Sequence, residues 1–191
     1  ASGNMSNNTI TITGGTVSGQ IVGGDSRVTT STSNHNTVTL GGGNLTGAEV
    51  WGTSYAGNVF ANDSEKITGN TLNVQAAGLE VKKIRNFEKL NFKITDSIVP
   101  PNTDTVAPNT TMLTLSEAGG FGKVSSDNSD VKVKWTNLTT EVPEDLNTLQ
   151  GKNKITLLKA LAAGELKFSD YAARMEQKGN YEVSLHTGQR Q

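Results

Sequence analysis

Cysteine is absent from this chain of 191 residues. That excludes a disulfide framework, a thiol nucleophile and a cysteine-based zinc site. Histidine is almost absent too. His35 sits among Ser, Thr and Asn and His186 lies in a polar tail, so with no His-x-x-x-His spacing both read as solvated surface rather than metal ligands or bases. No apolar run approaches the roughly 18 residues that a membrane-spanning helix needs, so no direct membrane insertion is expected. Basic blocks are lacking as well. Lys plus Arg number 17 against 18 Asp plus Glu, a net charge of −1, and nucleic acid is not an expected partner without a patch to neutralise phosphates. Residues 1–60 carry only Asp25, Arg27 and Glu49 as charged side chains. The apolar fraction is low, 34%, and the 21 glycines bring it only level with an ordinary globular domain. Such a lean core suits thin stacked layers better than a thick interior.

What the chain does have is repetition. Gly14-Gly15-Thr16-Val17-Ser18-Gly19-Gln20-Ile21-Val22-Gly23-Gly24 returns at a fixed shift as Gly42-Gly43-Asn44-Leu45-Thr46-Gly47-Ala48-Glu49-Val50-Trp51-Gly52. Each copy follows an alternating segment, Asn8-Thr9-Ile10-Thr11-Ile12 and Asn36-Thr37-Val38-Thr39-Leu40, and a third such segment is Asn70-Thr71-Leu72-Asn73-Val74. Strict alternation reads as a half-buried strand. Thr111-Met112-Leu113-Thr114-Leu115 reads as a degraded fourth copy. In an antiparallel sandwich successive strands face different neighbours and need not look alike, whereas in a parallel coil each residue stacks on its own counterpart. The recurrence therefore points to a parallel β-solenoid, with Asn8, Asn36 and Asn70 stacked as a ladder of turn residues in left-handed geometry.

The remainder is expected to be β-rich to near the end. Leu79-Glu80-Val81 takes the place of Val17 and Leu45, and Leu90–Ile94, Val131–Trp135 and Lys154–Lys159 are further strands. Residues 1–160 thus form the repeating part, with long loops at 25–35, 53–69 and 96–110, the last holding three of the four prolines. Residues 161–191 are a C-terminal extension or cap. Within it, Ser169 as a cap, Tyr171 and Met175 one turn apart and Gly179 as a stop predict a short helix over 169–178, and a strand follows over 181–185. Ala1-Ser2-Gly3-Asn4-Met5 has no basic-then-apolar leader, which leads us to expect a processed or excised chain.

Catalytic chemistry has no signature. Asp63, Asp96, Asp104, Asp127 and Asp130 share no repeat position, so neither an acid/base pair nor an oxygen-ligand calcium site is indicated, and no Gly-x-Ser-x-Gly elbow or phosphate loop occurs. No catalytic residue, metal or cofactor is assigned, and the chain is expected not to be an enzyme. The binding candidates are Trp51, Tyr55 and Phe60, on the second repeat and the insertion after it, with Gly23 as the first-repeat counterpart of Trp51. Exposed aromatics there would stack on sugar rings or anchor a protein. The plainer reading, that they cover a repeat's open edge, is favoured.

The Asn-Thr-Val-Thr-Leu and Gly-Gly-x-Leu-Thr-Gly-x-x-Val repeats, followed by Gly78-Leu79-Glu80-Val81-Lys82-Lys83-Ile84-Arg85-Asn86-Phe87-Glu88-Lys89-Leu90-Asn91-Phe92, resemble the passenger region of bacterial autotransporter (type V secreted) proteins. The resemblance spans about residues 8–160 and is one of pattern. It implies an all-β, right-handed parallel β-helix, exported and displayed at the bacterial outer-membrane surface or released outside the cell. A translocating β-barrel elsewhere in the parent chain would be one partner, and a host or bacterial cell-surface protein or glycan another. The alternatives are a polysaccharide-active β-helix enzyme, lyase or hydrolase, and an inert stalk presenting another domain.

Overall fold

The alternating Thr and aliphatic residues form strands that pair in parallel, residue on like residue. The protein, a computed structural model, is described for residues 6–26, 34–55, 69–93, 111–117, 138–141, 154–161, 173–177 and 180–186. Among these residues it is all-β. Strand β1 (Thr9–Ile12) is followed by β2 (Gln20–Val22) and β3 (Asp25–Ser26). The next repeat supplies β4 (Thr37–Leu40), β5 (Glu49–Trp51) and β6 (Ser54–Tyr55), and the third supplies β7 (Thr71–Val74), β8 (Leu79–Val81) and β9 (Lys83–Arg85). Then come β10 (Lys89–Lys93), β11 (Thr111–Leu115), β12 (Leu138–Glu141), β13 (Lys154–Leu161), β14 (Ala173–Gln177) and β15 (Asn180–His186).

Four sheets result, ordered β1-β4-β7-β10-β12, β2-β5-β9, β3-β6 and β14-β15-β13-β11-β8. All pairings are parallel except those of β15. In the first sheet Thr9 pairs with Thr37, Thr37 with Thr71, Thr71 with Lys89 and Leu90 with Leu138. These steps along the chain are unequal: the one to Lys89 is the shortest and the one to Leu138 the longest. Alternation sends Val38, Leu40, Leu72, Val74, Leu90 and Phe92 inward, each fully buried. They meet Leu45, Val50, Leu79, Val81, Ile84, Leu113 and Leu115 from outside the first sheet in one core.

The asparagine ladder is present, and its geometry is specific. The backbone N–H of Asn8 donates to Asn36 Oδ1 (3.0 Å) and that of Asn36 to Asn70 Oδ1 (2.9 Å). Asn70 Nδ2 donates in turn to the Asn86 carbonyl (3.3 Å). Asn36 and Asn70 are fully buried, so these bonds satisfy groups that water cannot reach. The left-handed residue is the one before each ladder Asn: Asn7 (φ 63°), His35 (φ 56°) and Gly69 (φ 69°). The amide thus works along the stack while its predecessor makes the turn. Gly69 has a second reason to be glycine, because a Cβ there would run into the His35 ring. At the paired glycines, Gly15 and Gly43 have φ of 77° and 98° and lead into a parallel bridge between Thr16 and Asn44, as corners should.

Four expectations need correction. Within the predicted helix over 169–178 the described residues Ala173–Gln177 instead form strand β14, paired antiparallel with β15; Lys178-Gly179 in the sequence between them is a hairpin signal, and pairing outweighs a weak helical propensity. The strand expected over 181–185 is present within β15. Thr111–Leu115 is not the fourth copy of the first strand, since it pairs with Leu79–Val81; that role falls to β10, which follows β7 by the shortest step in the sheet. The long loops predicted at 25–35 and 53–69 begin with short paired strands, β3 and β6. Finally, the counterpart of Trp51 is Val22, not Gly23. Thr16 bridges to Asn44, but Gln20 pairs with Glu49 where an unbroken shift would place Ala48. The second repeat therefore holds one extra residue between Asn44 and Glu49, and the paired side chains after it are displaced by one. The loop 96–110 and the Val131–Trp135 strand lie outside the described residues.

Candidate functional site

Of the three aromatic candidates, Trp51 is the one whose side chain lies among the described residues. Trp51 closes β5, a strand in which Val50 faces the core and Glu49 is half-buried. Trp51 is only 2% exposed, so stacking on a ligand is not open to it. Its register partner on β9 is Arg85, itself 6% exposed, whose Nη1 donates to the Ile84 carbonyl at 2.9 Å. The shift that sets Val38 on Leu72 also sets Trp51 on Arg85, so the repeat pattern alone could have signalled Arg85. Tyr55 lies on β6, its backbone paired with Ser26; its side chain and all of Phe60 lie outside the described residues.

The surface that the repeats do build is the outer side of the first sheet. Thr9 and Thr11 are exposed there, Thr37, Thr71, Asn73 and Asn91 are half-buried, and Lys89 and Lys93 are exposed. Register aligns Thr11, Thr39, Asn73 and Asn91 in one column. Asn73 Nδ2 donates to Thr39 Oγ1 (3.2 Å) and Asn91 Nδ2 to Asn73 Oδ1 (3.3 Å). Amides tied to one another in this way hold a flat row of hydroxyl and carboxamide groups, spaced by the roughly 4.8 Å between strands. A surface so ordered can hydrogen-bond a partner with little loss of side-chain entropy.

A charged column runs along the β2-β5-β9 sheet. Lys83 Nζ is 3.3 Å from Glu49 Oε1 and 3.0 Å from Glu117 Oε1. The hydrogen bond from Lys83, with its charge, holds the Glu117 carboxyl below its ordinary value of 4.5. Since the folded value is the lower one, the pair stabilises the protein above the ordinary carboxylate range and loses that effect as pH falls through the folded value. The Glu117 side chain is 43% exposed, so screening limits the gain to the surface range of about 0.2–1 kcal/mol. Lys83→Met should therefore change stability little at pH 7. Denaturant titrations of both proteins between pH 7 and 3 should show the difference shrinking on the acid side; a difference that grows with acidity would refute the pairing.

His35 is exposed, with Nδ1 3.2 Å from Asn34 Oδ1. Among the described residues no three His, Cys, Asp or Glu side chains are placed to hold a metal ion, and no helix is long and apolar enough to cross a membrane.

No protein-family model, curated protein or solved structure matches the chain.

Proposed function

We propose that the chain is a segment of a right-handed parallel β-solenoid serving as a structural and adhesive passenger module. In this reading it is exported, displayed on a bacterial surface or released from it, and it engages a cell-surface protein or glycan through the polar side of the first sheet. The observation that carries the reading is the in-register stacking of like residues across repeats, above all Asn8 on Asn36 on Asn70. Stacks of that kind belong to architectures in which each repeat is completed by its neighbour. The resemblance to autotransporter passengers supplies the export and the translocating barrel.

The enzymatic alternative would use carboxylates gathered from adjacent repeats. Glu49 and Glu117 are such a pair, yet both are engaged by Lys83. The downward shift of Glu117 is the wrong direction for a general acid working near neutral pH. We therefore favour adhesion.

The test is binding of the full chain to glycan arrays and to whole cells, with Lys89→Glu/Asn91→Ala and Tyr55→Ala compared with the native protein. The sheet-face double variant should weaken binding by about tenfold or more, equivalent to roughly 1.4 kcal/mol. Loss confined to Tyr55→Ala would move the site to the aromatic segment. No binding by the native chain would leave the inert stalk, and release of reducing ends from a polysaccharide would restore the enzyme.

A further inference from the structure

Of the asparagines whose side chains are described, Asn7 and Asn44 alone are exposed. They are also the two that have Thr two positions on, in Asn7-Asn8-Thr9 and Asn44-Leu45-Thr46. Asn8, Asn34, Asn36, Asn70, Asn73, Asn86 and Asn91 are buried or half-buried, and none of them is followed at that distance by Ser or Thr. Asn-x-Ser/Thr, with x other than Pro, is the acceptor pattern for N-linked sugar, a bulky group that belongs on a surface. In a chain rich in Asn and Thr such a triplet arises easily. Its confinement to the exposed asparagines is the informative part. On Asn36 or Asn70 a sugar would break the buried ladder, and there the Thr stands one position too early, at Thr37 and Thr71.

Asn44 is the better defined of the two. It lies at a corner of the second repeat, bridged to Thr16, where its N–H donates to the Gly15 carbonyl (2.7 Å) and its carbonyl accepts from the Val17 N–H (3.0 Å). Leu45 is drawn into the core, and Asn44 and Thr46 on either side of it are exposed. The Thr46 hydroxyl donates to Asn44 Oδ1 (3.0 Å), and the Thr46 N–H reaches the same oxygen (3.3 Å). Both donors fall on oxygen, and neither bond uses Nδ2. The nitrogen that would take a sugar is thus uncommitted in this turn, on an exposed side chain. Stacking of like on like does not account for an asparagine here, since its partner in the first repeat is Thr16.

We infer that Asn44 is a site of N-glycosylation, with Asn7 as a second. The co-substrate is a sugar carried on a diphosphate. Asn44 Nδ2 attacks the anomeric carbon; the C–N bond forms as the C–O bond to the diphosphate breaks, the diphosphate leaves with that electron pair, and a base of the transferase takes the proton lost from Nδ2. Hydrogen bonds on Oδ1 stabilise the negative charge that gathers there as the proton departs. The Thr46 hydroxyl therefore acts in the transfer as well as in the turn. The inference stands on these asparagines alone and holds whether the chain adheres, acts on a polysaccharide or is an inert stalk.

Peptide mapping by mass spectrometry of the full chain, recovered from the cells that produce it, should find a sugar on the peptide holding Asn44, and fragmentation should place it on that side chain. Further triplets begin at Asn4, Asn62, Asn109 and Asn137, so each site is read separately. Asn44→Gln and Thr46→Val should both lose the sugar at residue 44. Thr46→Ser, which keeps the hydroxyl, should retain it. All three changes lie on exposed side chains, and an unchanged circular dichroism spectrum guards against a folding defect. A bare Asn44 in the native chain would overturn the inference. So would a sugar at Asn44 that survives Thr46→Val, or one found on Asn36 or Asn70.

Discussion

Phe92→Ala is expected to destabilise the protein by about 3–5 kcal/mol, the range for removing a buried aromatic ring. Phe92 is fully buried on β10, in register with Val74 on one side and Thr140 on the other. The cavity would therefore open between repeats and weaken both of their contacts. In a stacked chain the loss need not be global, because stability is a sum over neighbours. Thermal unfolding followed by circular dichroism should drop or split into two transitions. An unchanged single transition would mean that the ring does not bridge the repeats.

Asn70→Ala should cost about 2–6 kcal/mol, since it strips partners from two buried groups at about 1–3 kcal/mol each. The Asn70 carboxamide accepts from the Asn36 N–H and donates to the Asn86 carbonyl. At this chain length the expected fall in Tm is roughly 4–24 °C. The lesion and its symptom should lie in different repeats. Hydrogen exchange should accelerate at the amide of Asn36, in the repeat before. Acceleration at residue 70 alone would contradict the ladder.

Much of the fold was legible because stacking like on like leaves a mark in the sequence. The strands beginning near Thr9, Thr37 and Thr71 and the Asn column were read from recurrence alone. Two errors share one cause: recurrence reports which residues are alike, not how much chain separates them. The extra residue between Asn44 and Glu49 changed the register by one, which exchanged Gly23 for Val22 as the partner of Trp51. The short step to β10 was hidden because Glu88-Lys89-Leu90 no longer looks like Asn-Thr-aliphatic, although Leu90 and Phe92 keep the inward positions. The C-terminal hairpin does not repeat at all, so only its turn chemistry announced it. The candidate site was less legible. Trp51 invites an exposed role by its chemistry, and only three-dimensional burial reveals a structural one. The Thr39, Asn73 and Asn91 column depends on two unequal steps along the chain, which no single period would align.

Those unequal steps have a consequence for how such a chain can change over generations. The strands of the first sheet keep their register although the chain between them is brief from Val74 to Lys89 and long from Lys93 to Leu138. Lengthening a connection costs only slowly growing closure entropy, whereas a one-residue slip inside a strand would turn its whole apolar set outward. Mutation is thereby sorted by place. Gains and losses of sequence survive in the connections, whole repeats can be duplicated or deleted as units, and the strands admit little but like-for-like replacement. A lineage built this way can change the chain between its strands without rebuilding the sheet that those strands form.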